Sequence, residues 1–236
     1  TFQNPTGATV PLAARHELVR LCQQHGCVVV ADEVYQLLPF EPQDAPPTPL
    51  WALCGAETGV VSLQSFSKLL APGLRLGWIQ SRDRALLAAL EGDGVVASGG
   101  GLNPFAAEVV RPLLLPREDG HKPALLSEHV QQLRAAYKAR AEALYGAVER
   151  WLPQARITRP RGGFFAWLTL PARWSKEARQ RALAEGRVAV REGSECAVAD
   201  SAWPPSDTTA RSLRLCFAHY APEQLACGVE RLARFV

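Results

Sequence analysis

The stretch Ser65-Phe66-Ser67-Lys68, followed by Pro72-Gly73-Leu74-Arg75-Leu76-Gly77, places one amine among two hydroxyls and a guanidinium. The apolar run Val60-Val61-Ser62-Leu63 leads directly into it. Lysine is scarce in this chain: Lys68, Lys122, Lys138 and Lys176 are the only four. An unpaired ammonium at the end of a buried strand is costly to desolvate. Burial lowers the lysine pKa, and the neutral amine is a nucleophile suited to a Schiff base with a carbonyl compound. Ser65, Ser67 and Arg75 are donors that suit a phosphate on the same compound.

Three further segments carry polar groups beside short apolar runs: Phe2-Gln3-Asn4-Pro5-Thr6-Gly7, Val28-Val29-Val30-Ala31-Asp32-Glu33-Val34-Tyr35, and Ser212-Leu213-Arg214-Leu215-Cys216-Phe217-Ala218. Each alone has a plainer reading. Asn4-Pro5-Thr6-Gly7 is turn chemistry, Asp32 is a strand-ending acid, Tyr35 is a core residue with its hydroxyl at the rim, and Arg214 alternates with Leu213 and Leu215 as a solvent-facing residue does. With 22 arginines among 26 basic residues, no single arginine carries weight.

Together, in this order and spacing, the four segments resemble the pyridoxal-phosphate-dependent aminotransferases of classes I and II, fold type I. The run Ser-Phe-Ser-Lys-Leu-Leu-Ala-Pro-Gly-Leu-Arg-Leu-Gly-Trp is most similar to the 2-aminoadipate aminotransferase branch and to the aminotransferase-like half of MocR-type transcription regulators. The resemblance spans essentially the whole chain. It implies pyridoxal 5'-phosphate as cofactor, bound through Lys68, with amino acids and 2-oxo acids as substrates. It makes Lys68 the catalytic amine, Asp32 the partner of the ring nitrogen, Tyr35 a donor to the phenolic oxygen, and Ser65, Ser67 and Arg75 phosphate ligands. Asn4 falls to the cofactor or to the substrate carboxylate, and Arg214 to that carboxylate. A carboxylate beside the pyridine nitrogen keeps the ring protonated and therefore an electron sink.

The resemblance also implies a homodimer with the active site near its interface, and an N-terminally incomplete chain, since family members carry a long segment before the first motif. Two other outcomes stay open: a ligand-sensing module, which would meet nucleic acid only through a DNA-binding domain upstream, and a lyase or decarboxylase on the same fold.

Composition fits an enzyme domain. Net charge is +3 with 21% charged residues, so there is no basic footprint for nucleic acid. The six cysteines have no C-x-x-C spacing and no histidine cluster; buried free thiols in a reducing, cytoplasmic setting are expected, without a metal. No apolar stretch is long enough for a membrane span.

The elements follow from period and punctuation. A helix opens at Pro11 with Leu18, Leu21 and Cys22 on one face and Gly26 as its stop. Strands are expected at 28–31, buried on both faces, and at 60–64 and 74–80. Four prolines make 41–49 a loop, and Gly99-Gly100-Gly101 another. Helices are expected at about 105–114 and 124–152, the second placing Leu126, Val130, Leu133, Tyr137, Leu144, Val148 and Trp151 along one stripe. After Trp151 the pattern reads strand, strand, helix, strand, strand, helix, with Gly162-Gly163 opening the central hairpin. The expected fold is α/β: residues 1–122 as part of a large domain with a mostly parallel sheet, 123–152 as an interdomain helix, and 153–236 as a small α+β domain.

Overall fold

The computed structural model describes residues 1–46, 48–56, 58–116, 124–198 and 206–236. The chain divides into two units. Unit 1 comprises Thr1, Thr9–Leu38 and Ala45–Leu133; unit 2 comprises Phe2–Ala8, Pro39–Asp44 and Arg134–Val236. The expected boundary at 122/123 falls outside the described residues, as does Lys122.

Unit 1 opens with helix α1 (Leu12–Gln24), which starts after Pro11 and stops before Gly26 at φ +64°. Pro11 has no N–H to leave unsatisfied, and glycine takes the left-handed backbone without a Cβ clash. Strand β1 (Val29–Asp32), short helix α2 (Leu50–Leu53), strand β2 (Val60–Ser65) and strand β3 (Gly77–Gln80) follow. β1 pairs with β2 in parallel, Val29 opposite Val60 through Asp32 opposite Leu63, and β3 joins β2 antiparallel. Val19, Val29, Ala31, Leu50, Cys54 and Val60 form one core cluster.

Two expectations are corrected here. The buried face of α1 consists of Arg15 and Val19, whereas Leu18 and Leu21 are exposed. Strand β1 alternates, with Val29 and Ala31 inside and Val30 outside at 61% exposure. Its burial alternates residue by residue, so among the described residues it is covered on one face only.

Helix α3 (Arg84–Glu91) is capped by Asp83, α4 (Gly94–Ala97) by Asp93 and α5 (Pro104–Leu114) by Asn103. In each, the cap oxygen accepts an orphan backbone N–H of the first turn. Helix α6 (Leu125–Trp151) matches its expected span, and the unit division falls within it between Leu133 and Arg134. Of the expected stripe, Val130, Tyr137, Leu144 and Val148 are buried, but Trp151 is exposed.

Unit 2 contains strands β4 (Arg156–Ile157) and β5 (Phe165–Thr169), helix α7 (Lys176–Ala184), strand β6 (Arg191–Glu192), short helix α8 (Asp207–Ala210), strand β7 (Ser212–Cys216) and helix α9 (Pro222–Leu232). The sheet order is β4-β5-β7-β6, all pairs antiparallel. Its inward residues Ala166, Leu168, Leu213 and Leu215 pack in a core that also includes Phe217 and Val229. The alternation follows from the two-residue period of a strand with one solvated face.

All six cysteines are free, but only Cys54 is buried. Its burial pushes the thiol pKa up. The wider expectation of buried thiols fails because Cys27 and Cys216 lie on exposed positions.

Candidate active site

Parallel pairing of β1 with β2 puts their C-terminal ends at one edge of the sheet, where open α/β sheets bind ligands. Asp32 is the last residue of β1 and is exposed; its Oδ1 accepts from Val34 N–H at 3.5 Å. Glu33 N–H bonds Leu63 O at 3.1 Å, extending the ladder one residue past the strand. A turn then carries Tyr35, which is buried.

β2 ends at Ser65, whose Oγ accepts from Ser67 N–H at 3.1 Å. Phe66 and Leu69 turn inward, Phe66 against Trp78 with ring centroids 4.7 Å apart. Leu69 and Leu70 N–H both bond Phe66 O, closing a tight turn. Two buried apolar anchors thus hold a turn whose polar residues Ser65, Ser67 and Lys68 are half-buried. Lys68 is therefore less enclosed here than the sequence suggested.

Arg75 is exposed and left-handed at φ +48° after the 3-10 turn Pro72–Leu74, and its Nη1 donates to Pro72 O at 3.1 Å. A non-glycine residue in that region costs about 1 kcal/mol or more. Its neighbours hold it there: Phe66 N–H bonds Leu76 O at 3.0 Å, on the far side of the loop.

Asn4 and Arg214 lie in unit 2. A turn closed by Gly7 N–H to Gln3 O at 2.7 Å presents Asn4, and Gly7 at φ +71° sits where a Cβ would be 2.5 Å from Phe165 O. Arg214 Nη1 donates to Asn4 Oδ1 at 2.8 Å, and its guanidinium carbon lies 4.5 Å over the Phe165 ring. In the sheet Arg214 stands opposite Trp167 on one side and Arg191 on the other. It lines a cavity of about 800 Å³ together with Arg187, Arg191, Cys216, Tyr220 and Arg231. The predicted residues thus fall into two groups: Asp32, Tyr35, Ser65, Ser67, Lys68 and Arg75 in unit 1, and Asn4 with Arg214 in unit 2.

Sequence reasoning missed the pair directly behind Asp32. Glu33 and Arg15 are 3% and 2% exposed, with Oε1 and Nη1 3.3 Å apart. The available signal was the period-two series Val29, Ala31, Glu33, which puts Glu33 on the inner face. Burial pushes the Arg15 guanidinium pKa down, opposed by the Glu33 charge.

Aminotransferase class I and II is the family whose pattern matches residues 1–232. The chain belongs to that family. The 2-aminoadipate transaminase of Thermus thermophilus is 33% identical over 99% of this chain and 55% of its own length. A solved structure of the alpha-aminoadipate aminotransferase from the same organism, complexed with N-(5'-phosphopyridoxyl)-L-leucine, superposes with a TM-score of 0.77 at 33% identity, covering 99% of this chain and 56% of that one. A helix-turn-helix-type transcriptional regulator of Escherichia coli is 29% identical over 72% of this chain and 34% of its own length. This member of the family spans about half the length of the aminotransferase relatives it matches.

Proposed function

We propose that the protein is an aminotransferase that uses pyridoxal 5'-phosphate to move an amino group from an L-amino acid to a 2-oxo acid. The observation that carries this reading is the parallel register of β1 and β2, which brings the Asp32 end and the Ser65–Lys68 turn to the same sheet edge. The donor set there suits the cofactor: an amine for its aldehyde, a carboxylate for its ring nitrogen, a phenol for its ring oxygen, and hydroxyls and a guanidinium for its phosphate. When bound, the cofactor supplies an electron sink for the bonds to the substrate α-carbon.

Lys68 would hold the cofactor through Nζ and would carry a proton to and from the substrate α-carbon. The Asp32 carboxylate holds a proton on the ring nitrogen. Ser65, Ser67 and Arg75 hold the phosphate, and Tyr35 donates to the ring oxygen. Arg214, backed by Asn4, grips the substrate carboxylate and fixes the angle of the α C–H bond. The family resemblance supports a homodimer with its site near the interface. The free cysteines support a reducing, cytoplasmic setting.

The kinship with a transcriptional regulator supports a second reading, in which the same residues bind the cofactor and report amines without turnover. One experiment separates the two. The purified protein is mixed with pyridoxal phosphate, reduced with borohydride and mapped by peptide mass, then assayed with amino acids and 2-oxo acids. Label on Lys68 with amino-group exchange supports the enzyme, and label without exchange supports the sensor. Absence of label from Lys68 defeats both.

A further inference from the structure

Glu33, Arg15 and Ser62 have no part in the proposed chemistry, yet they form the most enclosed polar cluster among the described residues of unit 1. Ser62 is fully buried. Glu33 Oε1 faces Arg15 Nη1 at 3.3 Å and accepts from Leu50 N–H at 3.3 Å; Oε2 accepts from Ser62 Oγ at 2.6 Å. Ser62 Oγ also accepts from Trp51 N–H at 3.3 Å. Arg15 donates through Nε to Val10 O and through Nη1 to Thr48 O, both at 3.0 Å, and through Nη2 to Thr1 Oγ1. Each end of the ion pair is thus held by groups from several segments.

Stability alone does not account for such a cluster. A buried ion pair recovers little more than its own desolvation, and apolar residues of similar volume commonly do as well. Directional bonds do what apolar packing cannot: they fix the rotation of the backbone unit that bears them. Residues 32 and 33 point to opposite faces of the strand, as their exposed and buried states require. Holding Glu33 from the inner face, at both its carboxylate and its N–H, sets the direction in which Asp32 leaves the outer face.

We infer that Glu33, Arg15 and Ser62 are positioning residues for Asp32, acting through the peptide between residues 32 and 33. This rests on the proposed function, in which Asp32 meets the ring nitrogen of the cofactor. No contact between the cluster and the cofactor is required.

The test compares the parent protein with Arg15→Met/Glu33→Leu and with Ser62→Ala. Three quantities are read: the thermal midpoint without cofactor, the dissociation constant of pyridoxal phosphate by absorbance titration, and the pH dependence of the bound cofactor's absorbance. The double variant, which leaves no unpaired buried charge, should melt near the parent. It should bind pyridoxal phosphate about tenfold or more weakly, the scale on which outer-shell supports act, with its absorbance profile displaced toward that of Asp32→Ala. Ser62→Ala removes the bond to Glu33 Oε2 and the one from Trp51 N–H and keeps the ion pair; about threefold weaker binding is expected, and this variant decides the matter should the double variant not fold. Parent-like affinity and pH profile in a folded variant would overturn the inference alone. A parent protein that shows no bound cofactor would overturn the proposed function and the inference with it.

Discussion

Arg214 Nη1 donates to Asn4 Oδ1 across 2.8 Å, joining residues 210 positions apart. The Phe165 ring lies against the same guanidinium, its centroid 4.5 Å from the guanidinium carbon. A planar cation held on one face by a ring and at one nitrogen by an amide is oriented before any ligand arrives. A guanidinium so fixed loses less freedom when it takes a carboxylate with two parallel bonds.

Truncating either partner should therefore weaken substrate binding, and the two effects should not add. Arg214→Ala is expected to raise KM for amino acids at least about tenfold, the loss of a charge-assisted bond of about 1.5–3 kcal/mol. Asn4→Ala should raise KM less, and should have little further effect once Arg214 is gone. Steady-state kinetics of the four proteins in a double-mutant cycle checks this. Strict additivity would mean that Asn4 does not act through Arg214, and an unchanged KM in Arg214→Ala would place the carboxylate grip on other residues.

Lys68→Arg keeps a cation at the turn but removes the nucleophilic amine. Turnover should fall by about 10²–10⁴-fold or more, as expected when a positioned general acid–base is lost. Fold stability should change little, because Lys68 is half-buried and the turn is anchored by Phe66 and Leu69. Transamination at the parent rate would exclude Lys68 from the chemistry.

What the sequence disclosed, and what it hid, divides along the range of the interactions. Helices α5 and α6 were legible because their ends are local events: Asn103 and Pro104 open one, and an apolar stripe carries the other from Leu125 to Trp151. The buried face of α1 was not, because a periodicity count treats arginine as solvent-facing. Arg15 goes inside only because Glu33, 18 residues later, meets it there. The same limit applies to β1, whose apolar run says that it is a strand but not that one of its faces lies open. The proposed site residues were read as motifs in order. The Asn4–Arg214 bond, made between the two ends of the chain, was not, since no local pattern encodes it.

Gly163 tests how tightly the Asn4 segment is held. It has φ +78°, and a Cβ there would lie 2.6 Å from the Phe2 Cβ. Phe2 is itself buried and left-handed at φ +46°, so it has little room to yield. Gly163→Ala should cost about 1–3 kcal/mol from the backbone alone, with further cost from the overlap. It should also raise KM, because displacing Phe2 displaces Asn4 two residues on. Urea denaturation and substrate kinetics on one preparation check both; a loss of stability with KM unchanged would uncouple the segment from binding.

Asp83 gives unit 1 an acid-sensitive joint. Its Oδ1 accepts from Leu86 N–H at 2.9 Å, capping α3, and its Oδ2 from Gly59 N–H at 3.0 Å, at the entry to β2. These backbone donors, Leu86 first, hold the carboxyl below its ordinary range. A carboxyl whose pKa is lower folded than unfolded binds fewer protons in the folded state. Its contribution is therefore full above the unfolded value of about 4 and is lost as pH falls through the folded value. Asp83→Asn can still cap the helix but cannot lose a charge on acidification. The parent should be more stable than Asp83→Asn by a constant margin at neutral pH, and that margin should shrink from about pH 4 downward. Urea midpoints of the two proteins between about pH 2 and 7 measure it. A margin that stayed level into acid would mean that the Leu86 and Gly59 bonds act through shape and not through charge.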